Sequence, residues 1–162
     1  MNQGETLPDL HAPIRDTQRA VSHQNVEIVK KSLDAFARRD IKALRALYHP
    51  DLELDWSRSL GWLAGVYRGF EAALRFYEGF FQAFEKTAIH PDRFIDTGEF
   101  VVVPNIAHQL GRDGIEVSAR STLVFELRDG KIIWICLYQE TEEALGAVGA
   151  LKATLKAVGL EE

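Results

Sequence analysis

The chain has 162 residues, of which 46% are hydrophobic and 27% charged, with a formal net charge of −5. That is enough chain to bury a core of its own as one domain, and the composition excludes disordered, collagen-like and disulfide-scaffold classes. Scattered Lys and Arg, a single cysteine and no apolar run longer than Ile132 to Tyr138 argue against nucleic acid, a membrane span, a disulfide or a cysteine zinc site, and for a cytoplasmic protein.

Residues 1–22 carry two prolines and no periodicity, so they read as a flexible arm ahead of a single domain at 23–160. Ser22 is the expected cap of a first helix, in which Val26, Val29, Leu33 and Phe36 form one apolar stripe. Asp40 caps a short second helix with Ile41, Leu44 and Leu47 inward, and Pro50 stops it. Leu52, Leu54 and Trp56 alternate with Glu53 and Asp55 as a strand. A glycine-rich loop at 57–69 leads to an aromatic third helix carrying Phe70, Tyr77, Phe80 and Phe84. Four strands are expected at 89–96, 99–110, 115–127 and 131–141, separated by Thr97-Gly98, Gly111-Arg112-Asp113-Gly114 and Asp129-Gly130. A final helical segment from Glu142 carries Leu145, Val148, Leu151 and Leu155. Helices first and antiparallel strands afterwards specify an α+β domain, with three N-terminal helices on one face of a curved sheet.

Several strings occur in a familiar order: NVEIVKKSLDAFARRD at 25–40, His49-Pro50-Asp51-Leu52-Glu53, Tyr67-Arg68-Gly69 and Leu127-Arg128-Asp129-Gly130-Lys131-Ile132. Together they resemble the SnoaL-like branch of the nuclear transport factor 2 superfamily, which includes polyketide cyclases and ketosteroid isomerases. The resemblance implies a cone-shaped fold, with the bent sheet wrapped around helices and an apolar pocket inside the mouth. Such a pocket suits a small apolar or polycyclic ligand, handled without a cofactor by acid–base chemistry of the cyclase, isomerase or dehydratase kind. A non-catalytic ligand-binding or interaction module on the same fold is the alternative.

Centring the hairpin on Arg112-Asp113 pairs 108 with 117 and 106 with 119. Ile106 and His108 then share a concave face with Ser121 and Leu123, and Gln139 joins them from the last strand. A one-residue slip would exchange the faces. The opposite face, with Asn105, Arg120, Trp134, Cys136 and Tyr138, reads as a homodimer surface, centred on Arg120, Trp134 and Tyr138.

The resemblance to ketosteroid isomerases marks Asp55 as the catalytic carboxylate, although Trp56 stands where that family shows proline. Asp55 beside Trp56 and Trp62 is either a desolvated base or a strand-edge acceptor for the following loop. His108 is the acid or carbonyl donor, or else a solvated rim residue. Trp56, Trp62, Tyr67, Tyr77, Ile106, Ser121, Leu123 and Gln139 are the expected substrate-binding set. The epoxide-hydrolase Arg-x-Asp is missing, because Thr122 stands two residues after Arg120 where that pattern needs Asp, and Leu123 stands where an isomerase strand carries a buried Asp. His49, His90 and His108 lack metal-ligand spacing, so neither a metal nor another cofactor is expected.

Overall fold

The computed structural model describes residues 12–159, with side chains from Val21 onward except Ser22. In chain order the elements are α1 (Ala12–Ala37), α2 (Ile41–Leu47), β1 (Tyr48–Asp55), β2 (Val66–Arg68), α3 (Phe70–Ala83) and β3 (Phe84–Pro91). They continue with β4 (Ile95–Asp96), β5 (Phe100–Gly111), β6 (Glu116–Arg128), β7 (Lys131–Tyr138) and α4 (Thr141–Ala157).

The first helix starts earlier than its apolar stripe suggests. Pro13 lies in its first turn, where a missing N–H costs nothing. Ser22 therefore sits inside α1 rather than capping it, and residues 1–11 of the expected arm lie outside the described residues. Asp40 does cap α2, its Oδ1 accepting from the Ala43 N–H at 3.0 Å. The helix ends at Leu47, and Pro50 falls inside β1 at a register shift between Tyr48 and Glu53. Proline has no N–H to donate to a ladder, so an irregular strand stretch accommodates it.

The strands form a seven-stranded sheet in the order β2-β1-β7-β6-β5-β3, with β4 added beside β5. The β1–β7 pair is parallel and the others antiparallel. β3 begins at Phe84, five residues before the expected start at 89, because its first residues pair with Gln109 to Gly111 of β5.

The β5–β6 hairpin departs from the expected register by one residue. Leu110 pairs with Glu116 and His108 with Ser118. The connection is an odd five residues: Gly111 N–H donates to Ile115 O at 2.8 Å, Asp113 Oδ1 accepts from Ile115 N–H at 3.0 Å, and Gly114 adopts φ 85°. A left-handed glycine before the returning strand absorbs the extra residue. The slip turns β5 over. Val101, Val103, Asn105, Ala107 and Gln109 face the concave side, while Ile106 and His108 face outward.

Two apolar layers result. The inner layer joins Val29, Leu44, Leu52, Leu54, Phe76 and Tyr77 of the first strands and helices to Val103, Leu123, Phe125 and Leu137 of the concave sheet face. The outer layer joins Ala144 and Val148 of α4 to Phe100, Val102, Val124, Cys136 and Tyr138. Helix α4 thus covers the part of the outer face expected to receive a second copy. Tyr138 is buried there and Trp134 packs against the same cluster, with its ring edge on Phe100 at 6.5 Å. Arg120 stays exposed, near Asp92 at 4.0 Å.

Candidate functional site

A cavity of about 380 Å³ opens between the inner helices and the concave sheet face. That size accommodates a small organic ligand. Helix α3 supplies Phe76, Tyr77 and Phe80 at i, i+1 and i+4, so one helical face delivers three rings. α1 adds Phe36, β1 adds Tyr48, and the segment after β1 adds Trp56 and Trp62. The rings pack both tilted and stacked: Trp56 lies 5.2 Å from Phe76 and Phe36 5.6 Å from Tyr77, both tilted, while Tyr48 and Tyr77 stack at 6.3 Å. Leu123, Ile135 and Leu137 complete an apolar sheet wall.

The polar groups in this lining are few and mostly neutral. Tyr48 and Tyr77 share a hydroxyl–hydroxyl hydrogen bond of 2.7 Å in a buried setting. Burial pushes the Tyr48 hydroxyl well above its ordinary value and Tyr77 up to about 12, so both stay neutral donors near pH 7. Asn105 is buried, donates to Val103 O at 3.0 Å and accepts from Ser121 Oγ at 3.2 Å. Gln139 donates to Arg58 O at 2.7 Å. The Thr87 hydroxyl is buried with no partner among the described residues. Among the described residues, the lining holds no carboxylate, imidazole or ammonium group, and its one charged member, Arg120, turns a largely solvated side chain outward.

Of the substrate-binding set expected from sequence, the structure brings Trp56, Trp62, Tyr77, Ser121, Leu123 and Gln139 to the cavity. Tyr67 and Ile106 are elsewhere. Tyr67 backs the wall, its ring 5.0 Å from Phe76 and its hydroxyl donating to Leu63 O at 2.7 Å. Ile106 lies on the outer face, turned there by the hairpin register.

The two residues expected to carry the chemistry are also outside the cavity. Strand alternation puts Leu54 into the core and Asp55 on the opposite side, beside its β7 partner Cys136. Asp55 Oδ1 accepts from the Ser57 N–H at 3.0 Å and the Ser57 hydroxyl at 2.6 Å, and Arg58 stands 3.6 Å away. Burial alone would raise the Asp55 carboxyl, but the Ser57 bonds and the Arg58 charge outweigh it and hold the group below its usual range. That is a loop-capping carboxylate, the opposite of a desolvated base. His108 is exposed on the outer face, its Nδ1 2.7 Å from Ser118 Oγ and its ring 5.0 Å from His90. Cys136, buried beneath Arg58, has its thiol pushed up to about 12 by burial and the neighbouring Asp55; a thiol so protonated is a poor nucleophile. Among the described residues, no three His, Cys, Asp or Glu side chains gather as a metal site, and no helix is long and apolar enough to cross a membrane.

Sequence reasoning missed Tyr48, Asn105 and Gln109. Tyr48 was hidden at a helix–strand junction, although its i, i+4, i+6 spacing with Leu52 and Leu54 matches the buried face of β1. The two amides follow from the odd loop length, for which Gly114 was the available signal.

A family model described as a SnoaL-like domain matches residues 29–135. Nothing among functionally curated proteins matches. Solved structures do. An NTF2-like protein of unknown function from Burkholderia pseudomallei is 24% identical, covering 75% of this chain and 95% of its own, with a TM-score of 0.64. TerC, co-crystallised with polyporic acid, is 22% identical over 76% and 96%, with a TM-score of 0.65. A putative SnoaL-like polyketide cyclase from a Jannaschia species is 20% identical over 80% and 94%, with a TM-score of 0.64. At these identities the likeness is one of fold.

Proposed function

Since the chain belongs to the SnoaL-like domain family, whose fold hosts both enzymes and binding proteins, we propose that it binds a flat, neutral, largely apolar molecule in its aromatic cavity. The observation that carries this reading is the lining itself. It offers stacked rings and branched aliphatics, with neutral hydroxyls and amides to orient a carbonyl or hydroxyl group. An apolar ligand gains its affinity from the area removed from water, and each sparse polar contact adds orientation. The neighbours TerC with polyporic acid and the putative polyketide cyclase support a ring-bearing ligand class.

A cofactor-free cyclase, isomerase or dehydratase is the second reading, and the Tyr48–Tyr77 pair favours it. A neutral, buried hydroxyl is suited to donate to a substrate carbonyl as charge develops there. In that reading the proton acceptor is the substrate or a water, since Asp55 and His108 lie outside the cavity. A homodimer on this fold would use the outer face that α4 leaves open, around His90, Ile106 and Arg120.

The test uses N-phenyl-1-naphthylamine, a neutral probe whose emission rises in a dry site. The expected result is a saturable rise at one site per chain, abolished in Ala119→Trp, which fills the mouth from an exposed position without removing a hydrogen bond. No saturable emission with the folded wild-type protein would refute the reading.

A further inference from the structure

The segment between β1 and β2, residues 57–65, contributes Ser59, Leu60, Gly61, Trp62 and Leu63 to the cavity lining. Yet Leu60 is 92% exposed and Trp62 71% exposed. Large apolar side chains left this open at a binding mouth lose hydration favourably when they close on something. The opposing end of β6 shows the same character, with Val117 45% exposed on the same cavity.

The hydrogen bonds of the segment divide it into ends tied to the rest of the fold and a tip bonded only within the segment. At the base, Trp56 N–H donates to Gly65 O at 2.8 Å, and Ser57 is held by Asp55. Arg58 is the main anchor. Its guanidinium lies over the Tyr138 ring at 4.5 Å, donates to Cys136 Sγ at 3.3 Å and reaches Glu143 of α4 at 3.5 Å, while its carbonyl receives Gln139. On the return side, Tyr67 holds the Leu63 carbonyl, and the Leu63 side chain lies close against Gly79 of α3. Between these anchors, Leu60 and Trp62 form no hydrogen bond to any described residue. Gly61 between them is bonded only within the segment, its N–H donating to Ser59 Oγ at 3.1 Å and its carbonyl accepting from Ala64 N–H at 3.2 Å, and the absence of a side chain gives its backbone more freedom.

We infer that residues 60–62 are a flap, which folds Leu60 and Trp62 onto an apolar ligand and makes them its last wall. This rests on the cavity being a ligand site. Closing buries the two side chains only when an apolar surface lies beneath them, so the flap is driven by the ligand rather than by a partner. Fixed ends keep the motion local. Asp55 and Arg58 lie outside the cavity, beside the flap's base.

The experiment uses the full chain labelled with 5-fluorotryptophan, with the Trp62 resonance assigned by its loss in Trp62→Phe, and N-phenyl-1-naphthylamine as probe. At saturation, the H₂O/D₂O isotope shift of the Trp62 fluorine should collapse as it leaves water. In stopped flow, Trp62→Ala should release the probe about tenfold faster, with association changed less than about threefold, since related variants differ mainly in dissociation. Saturable probe binding with Trp62 still fully water-exposed, or with wild-type release from Trp62→Ala, overturns the flap and leaves the cavity reading standing. No probe binding at all overturns both.

Discussion

Removing one member of the Tyr48–Tyr77 pair is the sharpest perturbation available to the inner core. The hydroxyls are 2.7 Å apart, and each residue is only 6% exposed. Phenylalanine at either position keeps the ring but strands the other hydroxyl in an apolar setting. A buried hydroxyl without a partner costs about 1–3 kcal/mol, whereas removing both partners is nearly neutral. Tyr48→Phe and Tyr77→Phe should therefore each destabilise by about 2 kcal/mol, and the double variant by less than about 1 kcal/mol. In a domain of this size that is a fall of roughly 4–8 °C in Tm for each single variant. Urea unfolding followed by circular dichroism, analysed as a double-mutant cycle, measures the coupling. Additive costs, or single variants within about 0.5 kcal/mol of wild type, would show that water reaches the pair and that the cavity wall is not dry at this point.

Three further outcomes are expected. Thr87→Val replaces a buried hydroxyl lacking a partner among the described residues with a near-isosteric methyl, and should raise stability by about 1 kcal/mol in urea titration; a loss would mean that the hydroxyl is satisfied in solution. Asp55→Asn should leave probe affinity within about twofold, as expected for a carboxylate outside the cavity. Because the folded Asp55 carboxyl lies below its usual range, its stabilisation is present above the unfolded value and is lost as pH falls; the Asn variant should lack that acid-side dependence, and parallel acid curves would contradict the assigned contacts. On the alkaline side the sign reverses. Burial pushes Tyr77, Tyr138 and Cys136 up to about 12 from ordinary values of 10.0, 10.0 and 9.0. The unfolded chain loses these protons first, so stability should decline from about pH 9 to 12, with Tyr77 alone contributing a slope of about 1.4 kcal/mol per pH unit from pH 10 upward. A flat thermal-unfolding profile across that window would count against their burial.

Local pattern was sufficient wherever one residue decides one outcome. Asp40 caps α2, the ring spacing from Phe70 to Phe80 makes α3 and aims it inward, although Phe84, expected as its last ring, opens β3 instead, and the glycine-bearing turns separate the strands; side-chain periods of 3.6 and 2 report these directly. The family followed from such strings in their order, and with it the cone and its aromatic pocket. What tertiary structure alone decided was which side of each strand meets the pocket. One extra residue between β5 and β6 turned His108 and Ile106 outward and brought Asn105 and Gln109 in, because a strand's faces alternate with every residue. Asp55 went the same way: its neighbour Leu54 claims the core, and Arg58 and Ser57 claim its carboxylate. The outer face looked free for a partner because its rings are apolar, and only the folded chain brings α4 back across them. Burial is a property of distant segments meeting, and no local window of sequence contains both sides of that contact.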